Sequence, residues 1–110
     1  MSRSVNRALL IGNVGAAPEV RTTASGRRVA TFSVATGRRA REPAVERTDW
    51  HHVVAWDELA REVERTIARG DRVWIEGRLE YRSWTDRTGR ERHATEVVAE
   101  DLILLTGEGT

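Results

Sequence analysis

Residues 73–84 alternate without a break, and a period of two over that length admits an extended strand and little else. Val73, Ile75, Gly77, Leu79 and Tyr81 fall on one side, while Trp74, Glu76, Arg78, Glu80, Arg82 and Trp84 fall on the other. The first side reads as a core stripe. The second interleaves indoles with guanidiniums on a surface turned away from the core, a mixture suited to stacked bases and phosphates.

The rest of the chain can be divided by the same reasoning. Residues 5–14 carry a compact apolar run ended by Gly12 and Gly15, the pattern of a first strand buried on both faces or bent at its glycines. Residues 17–21 are short and edge-like, and Ala24-Ser25-Gly26 has turn composition. A second strand follows over 28–36, with Ala30, Phe32 and Val34 on one face. Residues 37–47 are polar and contain Pro43, so an exposed, mobile, basic loop carrying Arg38, Arg39, Arg41 and Arg47 is expected. A third strand covers 48–56. Residues 57–70 form the one clear helix, because Leu59, Val63 and Ile67 recur at i, i+4 and i+8. Asp57 is placed to cap its N-terminal amides, Arg69 to complement its C-terminal dipole and Gly70 to stop it. The alternating stretch is the fourth strand, Asp86 to Gly89 a hairpin tip, and 92–105 a long fifth strand.

Composition limits the classes open to such a chain. Its 110 residues have room for one domain and one core. The formal net charge is +1, so bulk charge announces no polyanionic partner, yet all 18 Lys+Arg residues are Arg, which both pairs bidentately with phosphate and stacks on planar rings. GC-rich coding would give the same bias. The absence of cysteine excludes disulfides, thiolate metal sites and a Cys nucleophile. No apolar run approaches the roughly 18 residues of a membrane span, and Ala8-Leu9-Leu10-Ile11 is too short for a secretory core. The chain reads as soluble and cytoplasmic.

Five strands with one α-helix between the third and fourth is the element order of an all-β fold, the OB-fold, a five-stranded Greek-key barrel. The motifs go further. Ser4-Val5-Asn6-Arg7, Ile11-Gly12-Asn13-Val14-Gly15, Pro18-Glu19-Val20-Arg21, Ala30-Thr31-Phe32-Ser33-Val34-Ala35-Thr36, Thr48-Asp49-Trp50-His51-His52-Val53-Val54, Gly70 to Leu79 and Trp84-Thr85-Asp86 match in order and spacing. In these the chain resembles the bacterial single-stranded DNA-binding protein family over residues 3–105.

That resemblance implies an OB-fold that assembles as a homotetramer and wraps single-stranded DNA without sequence preference in replication, recombination and repair, on the nucleoid. It places base stacking on Trp50, Trp56 and Trp84, with Trp56 where many members carry Phe. A further family tryptophan falls on Ala40. Basic contacts carry over to Arg3, Arg7, Arg21, Arg69 and Arg82, and the loop reading adds Arg38 and Arg39, whereas Glu58 and Glu80 stand where some members are basic. His51 matches a position at a subunit interface. Trp74, where the family usually holds Tyr, is assigned to the interface too, against a competing stacking role. Residues 1–106 are expected to be the DNA-binding domain and 107–110 a short remnant with no acidic tail, so recruitment of replication and repair enzymes through such a tail is not carried over.

Blander readings stand beside these. Four tryptophans could be core, although Trp74 and Trp84 lie on the Arg and Glu face; for Trp50 and Trp56, which share parity with His52 and Val54, the pattern alone leaves a buried role open. The helix charges suit ordinary solvation and i, i+4 pairing. His51 and His52 point to opposite faces of a strand and cannot chelate together, so no metal and no cofactor is expected. The acidic residues are scattered among arginines, with no P-loop, zinc spacing or converging triad, which argues against an enzyme, including a nuclease built on an OB barrel. An OB-fold docking subunit of the primosomal type and a cold-shock-like RNA binder are the remaining alternatives.

Overall fold

Each apolar stripe needs a second surface to cover it, and here the strands solve this by curling until the first meets two partners. The structure, a computed structural model, describes residues 3–39 and 46–105. Its elements are β1 (Ala8–Val14), β2 (Glu19–Thr22), β3 (Arg28–Arg39), β4 (Glu46–Trp56), α1 (Asp57–Thr66), β5 (Arg72–Thr85) and β6 (Glu91–Leu104). Strand neighbours run β1-β5-β6-β4-β3-β2, and β1 also pairs with β3. That second pairing, Asn13 with Ala35 and Val14 with Val34, closes a five-stranded ring of β1, β3, β4, β6 and β5. β4 and β6 run parallel through Val53–Val97 and Val54–Val98, and every other pair is antiparallel. The expected OB barrel is the fold observed, with the short edge-like stretch realised as β2 on the flank of β3.

Inside the ring Phe32, Val34, Val53, Val73 and Ile75 interdigitate, and Ala60 and Val63 from α1, with Ile67 just past its end, join them in one cluster. Among the described residues no polar or charged side chain is buried. Alternation holds on β6 only as far as Ala99. A register shift opposite Glu76 and Gly77 leaves Glu100 unpaired, so that Ala99 and Leu102 both reach the core although they differ in parity.

Several local expectations are corrected. β1 is not buried on both faces: it begins at Ala8, and Leu9 and Ile11 are exposed because only its inner face meets the barrel. The apolar stripe of β5 is core only to Gly77, since the β5–β6 hairpin continues past the barrel and leaves Leu79 and Tyr81 exposed. Residues 37–39 and 46–47 are not loop but extend β3 and β4 as a paired ribbon, Arg38 opposite Arg47 and Arg39 opposite Glu46. Ala40, Arg41 and Pro43 lie outside the described residues, as does the segment 107–110.

The helix is shorter than its periodicity suggests. Asp57 makes no capping bond; the residue before it, Trp56, is the extended N-cap position, and Asp57 itself takes a left-handed φ of 57°, which Asp tolerates better than most residues. At the other end Ile67 is already extended, and its N–H still reaches the Val63 carbonyl at 2.9 Å. Arg69 and Gly70 therefore belong to the turn back to β5, where the Gly70 N–H donates to the Val14 carbonyl at 2.8 Å.

Ring closure needs one close approach. A Cβ on Gly12 would lie 2.2 Å from the Ala35 carbonyl oxygen, backbone against backbone, so any side chain there must push β1 away from β3. Gly12→Ala is expected to lower stability by about 1–3 kcal/mol, read as a reduced urea midpoint with unchanged spectroscopic strand content. An unchanged midpoint would mean that the seam tolerates displacement.

Candidate nucleic-acid interface

Three valines outside the core cluster are nonetheless buried: Val29, Val54 and Val98. They point outward from β3, β4 and β6, where the register sets Val29 opposite Trp56 and Val54 opposite Val98. They floor a groove of about 290 Å³ whose walls are Arg21, Thr31, Trp56, Glu80, Arg82 and Glu96. The sequence-nominated Arg21, Trp56 and Arg82 thus converge from β2, β4 and β5.

One indole, Trp56, lines this groove, a second, Trp84, follows Arg82 two residues along the outward face of β5, and each lies under a guanidinium. The Arg27 guanidinium carbon sits 4.4 Å from the Trp56 ring centroid, and its nitrogens donate to Asp57 at 2.8 and 3.3 Å. The hydrogen bond from Arg27 holds the Asp57 carboxyl below the usual carboxylate range. Arg82 lies 4.7 Å from the Trp84 centroid and donates to Glu96 at 3.1 Å. Each indole therefore has one face backed by a cation. Glu80 and Glu96 stand opposite each other across β5 and β6, so carboxylates share the groove with its arginines, and Arg78 donates to Glu80 at 2.9 Å.

Trp50 extends the surface. It shares the outward face of β4 with His52, Val54 and Trp56, six residues from the last, or roughly 20 Å at ~3.3 Å per residue. Its side chain is 61% exposed and lies across Gly15, where a Cβ would come within 2.4 Å of the ring. Between Trp50 and Trp56 a hollow of about 210 Å³, bordered by Ala16, Ser33 and His52, shares Thr31 with the main groove. The outward reading of Trp50, Trp56 and Trp84 is the one the structure takes.

The remaining nominated residues lie elsewhere. Arg3 is exposed ahead of β1, Arg69 is exposed in the turn after α1, and Arg7 pairs with Glu76 beside Trp74. Arg38 lies on the face of the β3–β4 ribbon opposite Trp50 and pairs with Asp49 at 3.0 Å; Arg39 is placed by its backbone pairing with Glu46. His51, half-buried, shares a hydrogen bond of 2.8 Å with the Thr36 hydroxyl. Trp74 stands between Ile11 and Ile103 in the sheet register, in an outward strip with exposed Leu9. Among the described residues no group of His, Asp and Glu is arranged to hold a metal ion.

Two features escaped sequence reasoning. Arg27 is linked to Trp56 only through the β3–β4 register, which no local pattern reveals. The Leu9 and Ile11 surface was hidden by the continuous run Ala8-Leu9-Leu10-Ile11, which has no alternation to show that one face is open.

The hairpin tip beyond Trp84 is built around one carboxylate. Asp86 accepts from the Thr88 hydroxyl at 2.7 Å, the Thr88 and Arg90 N–H groups at 2.9 and 3.1 Å, and Arg92 Nε at 2.9 Å. Arg92 is thereby fixed opposite Trp84.

Comparison with known proteins gives consistent matches. The model of the single-strand binding protein family matches residues 5–105. The chain is 42% identical to single-stranded DNA-binding protein 1 of Chlorobaculum tepidum, across 100% of this chain and 73% of that one. It is also 42% identical to a single-stranded DNA-binding protein of Rhizobium meliloti, across 99% of this chain and 68% of that one. Among solved structures, the Plasmodium falciparum SSB complex with ssDNA superposes with a TM-score of 0.87 at 33% identity, across 96% of this chain and 99% of that chain.

The Thr88 hydroxyl first, and Arg92 next, pull the Asp86 carboxyl down to about 2. Because this is below the unfolded value, the contribution of Asp86 to stability is complete above the ordinary aspartate pKa near ~4 and is lost as pH falls through about 2. The Asp86 carboxyl carbon resonance is expected to titrate far below pH 4, and Asp86→Asn to loosen residues 86–90 at neutral pH in backbone relaxation. A titration near 4 would show that the tip bonds do not form in solution.

Proposed function

Because the chain belongs to the single-strand binding protein family, we propose that it binds and protects single-stranded DNA without sequence preference and without catalysis, in replication, recombination and repair. The observation that carries this reading is the valine-floored groove walled by Trp56 and Arg82, with Trp56 under Arg27 and Trp84 under that same Arg82. Bases leave one another and stack on Trp50, Trp56 and Trp84, while phosphates meet Arg21, Arg27 and Arg82. Arg3, Arg7, Arg38, Arg39 and Arg69 extend the phosphate track beyond the groove. A duplex keeps its base faces to itself, so only an open strand can use such platforms, and since every base has a flat face the order of bases matters little. Arg27 and Arg78 begin in exposed ion pairs with Asp57 and Glu80, while Arg82 keeps its exposed guanidinium on the more buried Glu96. The two exposed pairs contribute little in water, so phosphates can displace Asp57 and Glu80 without a large penalty.

Assembly completes the proposal. Leu9, Ile11, Trp74 and Ile103 form an apolar strip across β1 and the barrel half of β5 and β6, and covering it with further copies gives the homotetramer; His51 on β4, held by Thr36, lies apart from that strip and serves a separate contact between copies. Several barrels on one strand raise avidity, because the second contact forms at an effective concentration on the order of millimolar. The unit carrying these surfaces is residues 1–106, acting in the cytoplasm on the nucleoid. No helix among the described residues is long and apolar enough to cross a membrane.

Titration with oligo-dT is expected to quench tryptophan fluorescence, and Trp84→Ala to weaken binding about tenfold or more, since a stacked base contributes roughly 1–3 kcal/mol. The affinity should fall with salt at a log-log slope of about 0.7 per neutralised phosphate. Wild-type affinity in Trp84→Ala would remove that platform, and a flat salt response would remove the arginine track.

Ile11→Arg puts a charge in the apolar strip and is expected to yield monomers or dimers by native mass spectrometry while the barrel stays folded. A tetramer in that variant would place the interface elsewhere.

A further inference from the structure

The β5–β6 hairpin outruns the barrel, and from Leu79 onward β5 is exposed on both faces. One face carries Arg82 and Trp84. The other carries a second aromatic pair: Tyr81 and His93, with ring centroids 5.5 Å apart and planes inclined by 17°. The register sets Ser83 opposite His93 and Tyr81 opposite Thr95, so the two rings meet on a diagonal of the same face.

We propose that the Tyr81–His93 pair is an additional base-stacking site for single-stranded DNA, reached by a strand that passes from Trp84 around the open edge of the hairpin. The proposal rests on the function given above and extends it to a face of the hairpin that the groove does not include.

Three observations carry it. The pair is held before any ligand arrives, because the Tyr81 hydroxyl and His93 Nδ1 share a hydrogen bond and Glu91 lies 4.0 Å from His93 Nε2. Little side-chain freedom is then left to lose on stacking. Tyr81 is 66% exposed and the His93 side chain 46%, so the pair offers flat ring surface to solvent outside the core. Finally, the hairpin edge offers donors. β1 pairs with β5 only as far as Gly77, and the next outward-facing amide and carbonyl, those of Leu79, are taken by the Asn6 side chain at 2.9 and 2.8 Å. The alternation of an antiparallel strand turns the Tyr81 and Ser83 N–H groups toward the same edge. A phosphate crossing between the faces meets backbone donors there, and Trp84 and Tyr81 are only roughly 10 Å apart along the strand at ~3.3 Å per residue.

A second copy of the chain suits this face less well. The exposed aliphatic strip fitted to self-association lies on β1 and the barrel half of β5 and β6, whereas this site is two heteroatom-bearing rings flanked by Ser83, Thr95 and Glu91.

The test uses the full chain with two dT oligomers, one just long enough to fill the groove from Trp50 to Trp84 and one several nucleotides longer, each with 5-iododeoxyuridine replacing thymidine for photocrosslinking. With the long oligomer, crosslinked peptides should include Tyr81 or His93 as well as the tryptophans. The double variant Tyr81→Ala, His93→Ala should bind the long oligomer about tenfold more weakly and the short one as wild type does. Tyr81→Phe, which keeps the ring and loses the hydroxyl bond, should retain most of the long-oligomer affinity. Crosslinks confined to tryptophans with wild-type affinity in the double variant would overturn the site and leave the pair a brace of the hairpin. Equal losses for both oligomers, or a Tyr81→Phe defect as large as the double variant's, would overturn it in the same way. Failure of the wild-type chain to bind either oligomer would instead overturn the groove itself, and this site with it.

Discussion

The molecule depends on the seam where β1 meets β3. Asn13 and Val14 pair with Ala35 and Val34 while the preceding residues of β1 are paired to β5, so one short strand joins the two halves of the sheet. Gly12 permits the approach by having no side chain where the Ala35 carbonyl passes. Once the ring is closed, the inner faces of five strands are consumed by one core and α1 fills its end. What remains is the outside, and on it β4 presents Trp50, His52, Val54 and Trp56 in one line. Because Trp50 rests on Gly15, just past the seam, the same closure that makes the core also seats the outermost indole.

The electrostatics explain why net charge is a poor guide to such a protein. A formal charge of +1 conceals a surface on which guanidiniums are distributed and provisionally matched: Arg27 with Asp57, Arg38 with Asp49, Arg78 with Glu80, Arg82 with Glu96. Every one of these pairs is at least partly open to water, where an ion pair adds little to stability and much less at high salt. Their structural effect is orientation. Arg27 and Arg82 are held over indoles by their carboxylates, so each cation already stands beside a flat aromatic surface, and the half-exposed Asp57 carboxylate can be released to solvent.

How much of this was legible depended on whether a residue's neighbours in sequence were also its neighbours in space. The two-residue period of β5 placed Val73 and Ile75 inside and Arg82 and Trp84 outside, and the element order led to the barrel, because both follow from local pattern. The reading failed where long-range geometry overrode it. Leu79 and Tyr81 keep the core parity but lie beyond the barrel's rim. Ala99 and Leu102 share the core despite opposite parity because Glu100 is an inserted residue. Asp57 has the composition of a cap, yet its carboxylate is drawn thirty positions away to Arg27, a pairing fixed by the register of β3 on β4. The convergence of Arg21, Trp56 and Arg82 is of the same kind, nominated one by one from motifs and assembled only by the sheet.

The projecting hairpin shows how stability and recognition become linked in this fold. A two-stranded ribbon with solvent on both faces has no core and must be held by its own cross-strand contacts. Here those contacts are Arg82 on Trp84 with Glu96 on one face, Tyr81 on His93 on the other, and the Asp86 bonds at the tip. The groups that keep the ribbon ordered are therefore the same flat and charged groups that a base or phosphate would engage. Under the proposed binding, contact at Trp84 would act on a ribbon whose order Arg82 helps to maintain, whereas contact at Trp56 would act on a strand anchored by Val53 and Ala55 in the core. The two indoles thus differ in kind, Trp56 held by the barrel and Trp84 ordered by the ribbon's own side chains, so a strand bound as proposed would tighten the structure more at Trp84 than at Trp56.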